Sequence, residues 1–175
     1  IDQTGLSRPT VISILKELQI TEKVSKSGFA SSDVGRQPML YALNTKSNFA
    51  IGIDVDGPPI NLVVSDVNGK VVYNKSWTID LFSEPENISA RIINELDTAI
   101  AELNIDYKDV FGIAIGLPAS IDIKNNCTVR LSRIKQWNNY LIDKDISNHT
   151  GKKIYVRNDA HLLSIAEHEI FSQSK

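Results

Sequence analysis

Cysteine is almost absent from this sequence. Cys127 stands alone, so no disulfide framework can form within the chain. No base lies near it in the sequence to activate its thiol, which reads as inert. Long apolar runs are missing too. A membrane span needs roughly 18 apolar residues; the longest run, Val110–Ala119, has ten and carries Gly112, Gly116 and Pro118. The N-terminal residues lack the basic, apolar and small-residue order of a secretory signal. A cytoplasmic protein is the simplest reading, with no membrane partner. The histidines His149, His161 and His168 have no metal-ligand spacing and read as ordinary surface or core residues. Neither sign of charge dominates. A net charge of −2 argues against wholesale nucleic-acid binding.

The distribution of charge says more than its sum. Residues 1–48 hold six Lys/Arg against four Asp/Glu, and residues 49–175 hold thirteen against seventeen. Any nucleic-acid contact therefore belongs to the head. There, Thr4–Thr10 has the look of a helix-turn-helix junction. Gly5 supplies a turn, Ser7 an N-cap, and Pro9 falls in the first turn, where a missing N–H costs nothing. Val11, Ile14, Leu15 and Leu18 follow on one apolar face. Ser7, Arg8, Thr10, Ser13 and Lys16 then offer polar and basic groups of the kind that read phosphates and base edges. An amphipathic surface helix has the same pattern. Glu22–Ser27 and Pro38–Leu43 read as two strands around a glycine- and serine-rich loop, Gly28–Gln37. Helix and then hairpin is the order of a winged helix-turn-helix. Arg36, beside Gly35, is placed to enter a minor groove, although an exposed loop arginine is the plainer reading. Such a head needs an earlier helix, so the protein is expected to extend upstream. The expected organisation is a partial winged helix-turn-helix over 1–43, a linker over 44–48 and a lobe over 49–175.

The lobe alternates strands and helices. Ala50–Val55, Ile60–Ser65 and Lys70–Trp77 read as strands, with Asn68-Gly69 making a hairpin turn. Ser83-Glu84-Pro85-Glu86 reads as a capping box. Ile88, Ile92, Leu96, Ile100 and Leu103 form the stripe of the helix it opens. Val110–Gly116 reads as a buried strand, Leu141–Thr150 as a helix ended by Gly151, Lys153–Arg157 as a strand and Asp159–Phe171 as a helix. Three antiparallel strands, then helix and strand in alternation, is the order of the ribonuclease-H-like lobe of actin and sugar kinases.

Four stretches make the resemblance specific: Leu6–Leu18 with Gly35–Asn44, IGIDVDG at Ile51–Gly57, IAIGLPASID at Ile113–Asp122, and Gln136–Glu169 with its Trp137 and Asn158-Asp159-Ala160. Their order resembles the ROK family of sugar-responsive repressors and sugar kinases. The resemblance implies an α/β fold: a partial winged helix-turn-helix, then an actin-like N-terminal lobe of the sugar-kinase type. It implies that Asn158 and Asp159 hold sugar hydroxyls and that, in a kinase, Asp159 is the general base. Asp is also a good helix N-cap, so a purely structural role stands beside that one. Gly116, Pro118 and Ala119, the last where the family usually has glycine, would bring backbone close to the sugar or merely make a tight turn. Ser132 and Arg133 precede Trp137, and Arg133 departs from the family pattern. The family's zinc site lies in a second lobe outside this segment, so no cofactor is expected here. Where the kinases carry a Gly-Gly-Thr type turn, this sequence has Asp56-Gly57-Pro58-Pro59. The prolines have no N–H, Asp56 repels phosphate, and the hydroxyl is missing. A repressor is expected, with operator DNA and a small sugar as partners and a homodimer or higher homo-oligomer as its assembly. The alternatives are a sugar kinase with a variant loop, or a DNA-binding protein whose lobe only holds copies together.

Overall fold

The computed structural model describes residues 4–31, 37–80, 84–131 and 137–173. The chain divides into two units, Ile1–Asn48 and Phe49–Lys175.

The first unit is a helix followed by a hairpin. Ser7 opens α1 (Arg8–Ile20) as predicted: its backbone is extended, and its Oγ accepts the Thr10 N–H at 3.4 Å. Gly5 makes the preceding turn at φ +65, where a side chain would be strained. Val11, Leu15 and Leu18 are half-buried. Ile14 was expected with them but is 42% exposed. The reason is that α1 lies against little more than β1 and has no fully buried residue. Strand β1 (Val24–Phe29) pairs antiparallel with β2 (Met39–Leu43). Both begin later than the sequence suggests. Glu22, at φ 55, and Lys23 turn the chain out of α1 first. Residues 44–48, expected as a linker, are tied to that turn. Asn44 Nδ2 and Ser47 Oγ donate to the Glu22 carbonyl at 3.0 and 2.8 Å, and Lys23 Nζ donates to Asn48 Oδ1 at 2.7 Å.

The second unit is built on a five-stranded sheet. It contains β3 (Phe49–Asp54), β4 (Ile60–Asp66), β5 (Val71–Trp77), β6 (Val110–Leu117) and β9 (Ile154–Asn158), in the order β5-β4-β3-β6-β9. β3, β4 and β5 are antiparallel neighbours, whereas β3, β6 and β9 run parallel. The parallel strands need crossovers, and helices supply them. After β5 comes α2 (Pro85–Leu103), which buries Ile88, Ile92, Leu96 and Ala99. Ile100 and Leu103 of the predicted stripe reach the core only partly. The N-cap is Glu84, with Pro85 first in the helix, and the Glu84 side chain makes no capping hydrogen bond. The predicted capping box rests on Ser83, which lies outside the described residues. A short 3-10 turn, Tyr107–Asp109, leads into β6. α3 (Ile142–Thr150) ends at Gly151 with φ +66, as the sequence indicates. α4 (Asp159–Gln173) follows β9 directly.

One element was not anticipated. β7 (Ser120–Asp122) and β8 (Cys127–Arg130) form a small antiparallel hairpin after β6. Asp122 Oδ1 accepts the N–H groups of Lys124 and Asn125 at 2.9 and 3.2 Å, and Asn126 turns the chain at φ 54. The Asn126 side chain then fastens the hairpin to the sheet. Its Nδ2 donates to Asp143 Oδ2 and the Ile154 carbonyl at 2.8 and 2.9 Å, and its Oδ1 accepts the Val156 N–H at 3.0 Å.

Candidate functional site

The parallel strands bring their C-terminal ends to one edge. Asp54 on β3 pairs with Gly116 on β6, and Gly116 with Arg157 on β9. Leu117 pairs with Asn158. This end of an open α/β sheet is where ligands gather, because the loops that follow diverge and leave a crevice. Beyond β6 the chain turns tightly: the Ala119 N–H donates to the Leu117 carbonyl at 2.8 Å. Gly116 is closely packed. A Cβ there would lie 3.3 Å from Leu162 Cδ1 and 3.8 Å from both Asp159 Cα and Asp54 Oδ1.

The cap of α4 is Asn158, and this corrects the structural role offered for Asp159. Asn158 Oδ1 accepts the His161 N–H at 3.0 Å, while its Nδ2 donates to the Ala119 carbonyl at 3.2 Å. One amide thus joins the helix start to the loop after β6. It keeps one N–H and one lone pair for a ligand. The charges of Asp56 and Asp159 both act on Asp54. The Asp54 carboxyl is raised above its ordinary value of 3.8 by burial first, then by the charges of Asp56 and Asp159. Three carboxylates therefore border the end of β3. The turn expected not to serve as a phosphate loop follows with Pro58 and Pro59, joined by a cis peptide bond. Neither offers an N–H to a phosphate.

On the other side of Asn158 lies an open pocket of about 380 Å³, lined by Pro118, Ala119, Ser120, Ile121, Ile123, Arg130, Arg157, Asn158 and His161. The structure thus brings together Pro118, Ala119 and Asn158 from the predicted sugar residues. Gly116 and Asp159 are their chain and packing neighbours but do not line it. His161, read from the sequence as ordinary, does line it. Arg130 and Arg157 were missed, because only the hairpin and β9 bring them together. Ser132 and Arg133 lie outside the described residues. Among the described residues no group of three or more His, Cys, Asp or Glu is arranged to hold a metal ion.

On the first unit, Arg8, Thr10, Ser13 and Lys16 are exposed along α1. Ser7 is engaged as the cap, its Oγ also 2.8 Å from Thr10 Oγ1. Arg36 lies outside the described residues.

Comparison with known proteins bears on the whole chain. A putative xylose repressor of Caldicellulosiruptor sp. (strain Rt8B.4) is 28% identical over 162 residues, 93% of this chain and 40% of its own length. A glucokinase of Thermotoga maritima is 27% identical over 117 residues, 67% of this chain and 35% of its own length. The crystal structure of a ROK family transcriptional regulator, a homolog of the E. coli MLC protein, superposes with a TM-score of 0.76 at 18% identity. It covers 99% of this chain and 44% of that one. The chain thus spans less than half the length of these relatives. The fold they share is mixed α/β around a central sheet, of the actin-like sugar-kinase type. The ROK family model matches residues 50–175, the second unit almost entire, and the chain belongs to the ROK family.

Proposed function

We propose that the protein is a sugar-responsive transcriptional repressor. The observation that carries this reading is the extent of the likeness. Proteins named xylose repressors align over 93% and 99% of the chain, head included. The glucokinase aligns over 67% of it. In this reading α1 and the β1–β2 hairpin form a winged helix-turn-helix. Ser7 caps the recognition helix, and Arg8, Thr10, Ser13 and Lys16 meet phosphates and base edges. Arg36 enters the adjoining minor groove. A sugar binds at the C-terminal edge of the sheet, against Gly116, Pro118 and Ala119, with its hydroxyls on Asn158 and Asp159. Its differential affinity for two states of the protein releases the operator. The working form is a cytoplasmic homo-oligomer. The carboxylates and prolines after β3 favour a sensor over an ATP-dependent enzyme.

The kinase reading has one observation behind it beside the glucokinase relative. Asp159 is not consumed as the helix cap and is free to take a proton from a sugar hydroxyl. Two assays separate the readings. DNA selected from the source genome should bind, and xylose or another aldose should release it, as read by fluorescence anisotropy. ADP release should be nil with the same aldoses and ATP. Turnover that disappears in Asp159→Asn would overturn the repressor-only reading.

A further inference from the structure

We propose that the β1–β2 hairpin carries an apolar wedge, Phe29, which enters the minor groove of duplex DNA and kinks it, while Lys26 and Tyr41 hold the flanking backbone. This rests on the reading of the first unit as a winged helix-turn-helix and adds to it a device for bending the operator.

The bulge in β1 carries the argument. The hairpin pairs Val24 with Leu43, Ser25 with Ala42, Lys26 with Tyr41, Gly28 with Leu40 and Phe29 with Met39. Ser27 is therefore left unopposed between Lys26 and Gly28. Residues directly opposite share a face, and successive residues alternate between faces. Without the extra residue, Phe29 would fall on the face of Ser25 and Ala42. With it, Phe29 and Met39 lie on the face of Lys26 and Tyr41. Bulges re-aim side chains in this way. Gly28 accommodates this one at φ 135, where a side chain would be strained.

The re-aimed ring is left in the open. Phe29 is 60% exposed, and Tyr41 and Leu43 on the same face are exposed with it. The base of the hairpin adjoins the end of α1, where the Lys23 N–H donates to the Leu18 carbonyl at 2.8 Å. Phe29 lies five residues beyond Val24, roughly 15 Å along the strand. An apolar cluster that a bulge turns outward, far from the body of its unit, marks a surface that meets a partner.

The chemistry of the face selects DNA. Lys26 is the only charged residue in either strand. Among the described residues it has no ion-pair partner. Neither strand carries a carboxylate that would repel phosphate. Its ammonium and the Tyr41 hydroxyl suit phosphate oxygens, which position a protein on the duplex. Phenylalanine at the tip suits an opened base step, because apolar side chains of this kind wedge minor-groove steps apart. Kinking is easiest at TA and CA/TG steps. The wedge would therefore favour operators with such a step, with no hydrogen bond to a base edge.

The test uses a duplex recovered by selection from the source genome, with donor and acceptor dyes at its two ends. Energy transfer between the dyes reads bending, and anisotropy reads affinity. The protein should bring the ends together. Phe29→Ser should abolish most of that change and weaken binding about tenfold. Phe29→Leu should keep both, since leucine is also a wedge. Lys26→Gln should lower the slope of log affinity against log salt by about one and leave the bend in place. A duplex bent as much by Phe29→Ser as by the parent protein, or not bent by the parent, overturns the proposal and leaves the winged reading standing. So does a Phe29→Ser variant that binds DNA unchanged but sediments at a different mass, which would give the face to a second copy of the chain. An equal loss of binding in Phe29→Ser and Phe29→Leu, with the thermal transition lowered in both, overturns it too, because Phe29 would then serve the fold. If no duplex is bound, the winged reading falls and the proposal with it.

Discussion

Asn158 and Asp159 divide two roles that the sequence leaves merged. Both residue types cap helices and both bind hydroxyls, so their order alone does not say which does what. The fold decides, because only Asn158 reaches both the His161 N–H and the Ala119 carbonyl. The two substitutions should therefore differ. Asn158→Ala removes a cap and a tie to the loop, and should lower unfolding free energy by about 1–2 kcal/mol in urea titration. Asp159→Asn should change stability by less than about 0.5 kcal/mol, yet weaken sugar binding. Equal stability loss in both would refute this division. Asp54 gives a second prediction at this scale. Burial, Asp56 and Asp159 raise its carboxyl above 3.8 in the folded protein. The folded state thus holds the proton more tightly than the unfolded chain. Asp54 costs the fold nothing below 3.8, where both states are protonated. The cost grows as pH rises through the gap and levels off above the folded value. Asp54 is exposed, so water screens the effect. Asp54→Asn should flatten the stability profile between acid and neutral pH and make the protein more stable at neutrality. A steeper profile in the variant would contradict this origin.

The regular elements were legible because they are long enough to show a period. The α2 stripe and the apolar strands around Ile53 and Ile115 declare which face is buried. The charged member of the buried α2 face was not legible: Glu95 is buried beneath Lys75 and Arg91, at 2.7 and 2.5 Å. The β7–β8 hairpin escaped for a different reason. Its strands of three and four residues are too short to display alternation. A turn signal was present in Asp122 through Asn126, since Asp and Asn fold back on their own backbone and Asn tolerates positive φ. The hairpin carries Arg130, so missing it hid the basic wall of the pocket. Asn126 is its fastening, and Asn126→Gly tests this without adding strain, since glycine keeps φ +54 available. Losing the bonds to Asp143, Ile154 and Val156 should cost about 1–3 kcal/mol in chemical denaturation. It should also weaken sugar binding, because Arg130, which lines the pocket, loses its support. A variant that loses stability but keeps full affinity would show that the hairpin wall is not part of the site.

At the scale of the molecule, the proposed function requires that sugar in the second unit alter DNA binding by the first. The chain passes from one to the other at Asn48–Phe49. Asn48 is 6% exposed and hydrogen-bonded within its own unit. Lys23 Nζ donates to its Oδ1, and its Nδ2 donates to the Asn44 carbonyl and to Ser47 Oγ at 3.0 and 3.2 Å. The turn that ends α1 and residues 44–48 are thus tied into one hydrogen-bonded knot within the first unit. The coupling is reciprocal by thermodynamic necessity. If sugar weakens operator binding by some factor, operator must weaken sugar binding by that factor, typically about 5–150-fold, or 1–3 kcal/mol. Anisotropy titrations of operator at saturating sugar, and calorimetry of sugar at saturating operator, should return the same number. Asn48→Ala loosens the knot and should shrink that number in both directions together, by more than it changes either affinity measured alone. Unequal factors from the two titrations would mean that the states compared are not in equilibrium. A full coupling factor in Asn48→Ala would move the path of communication away from residues 44–48.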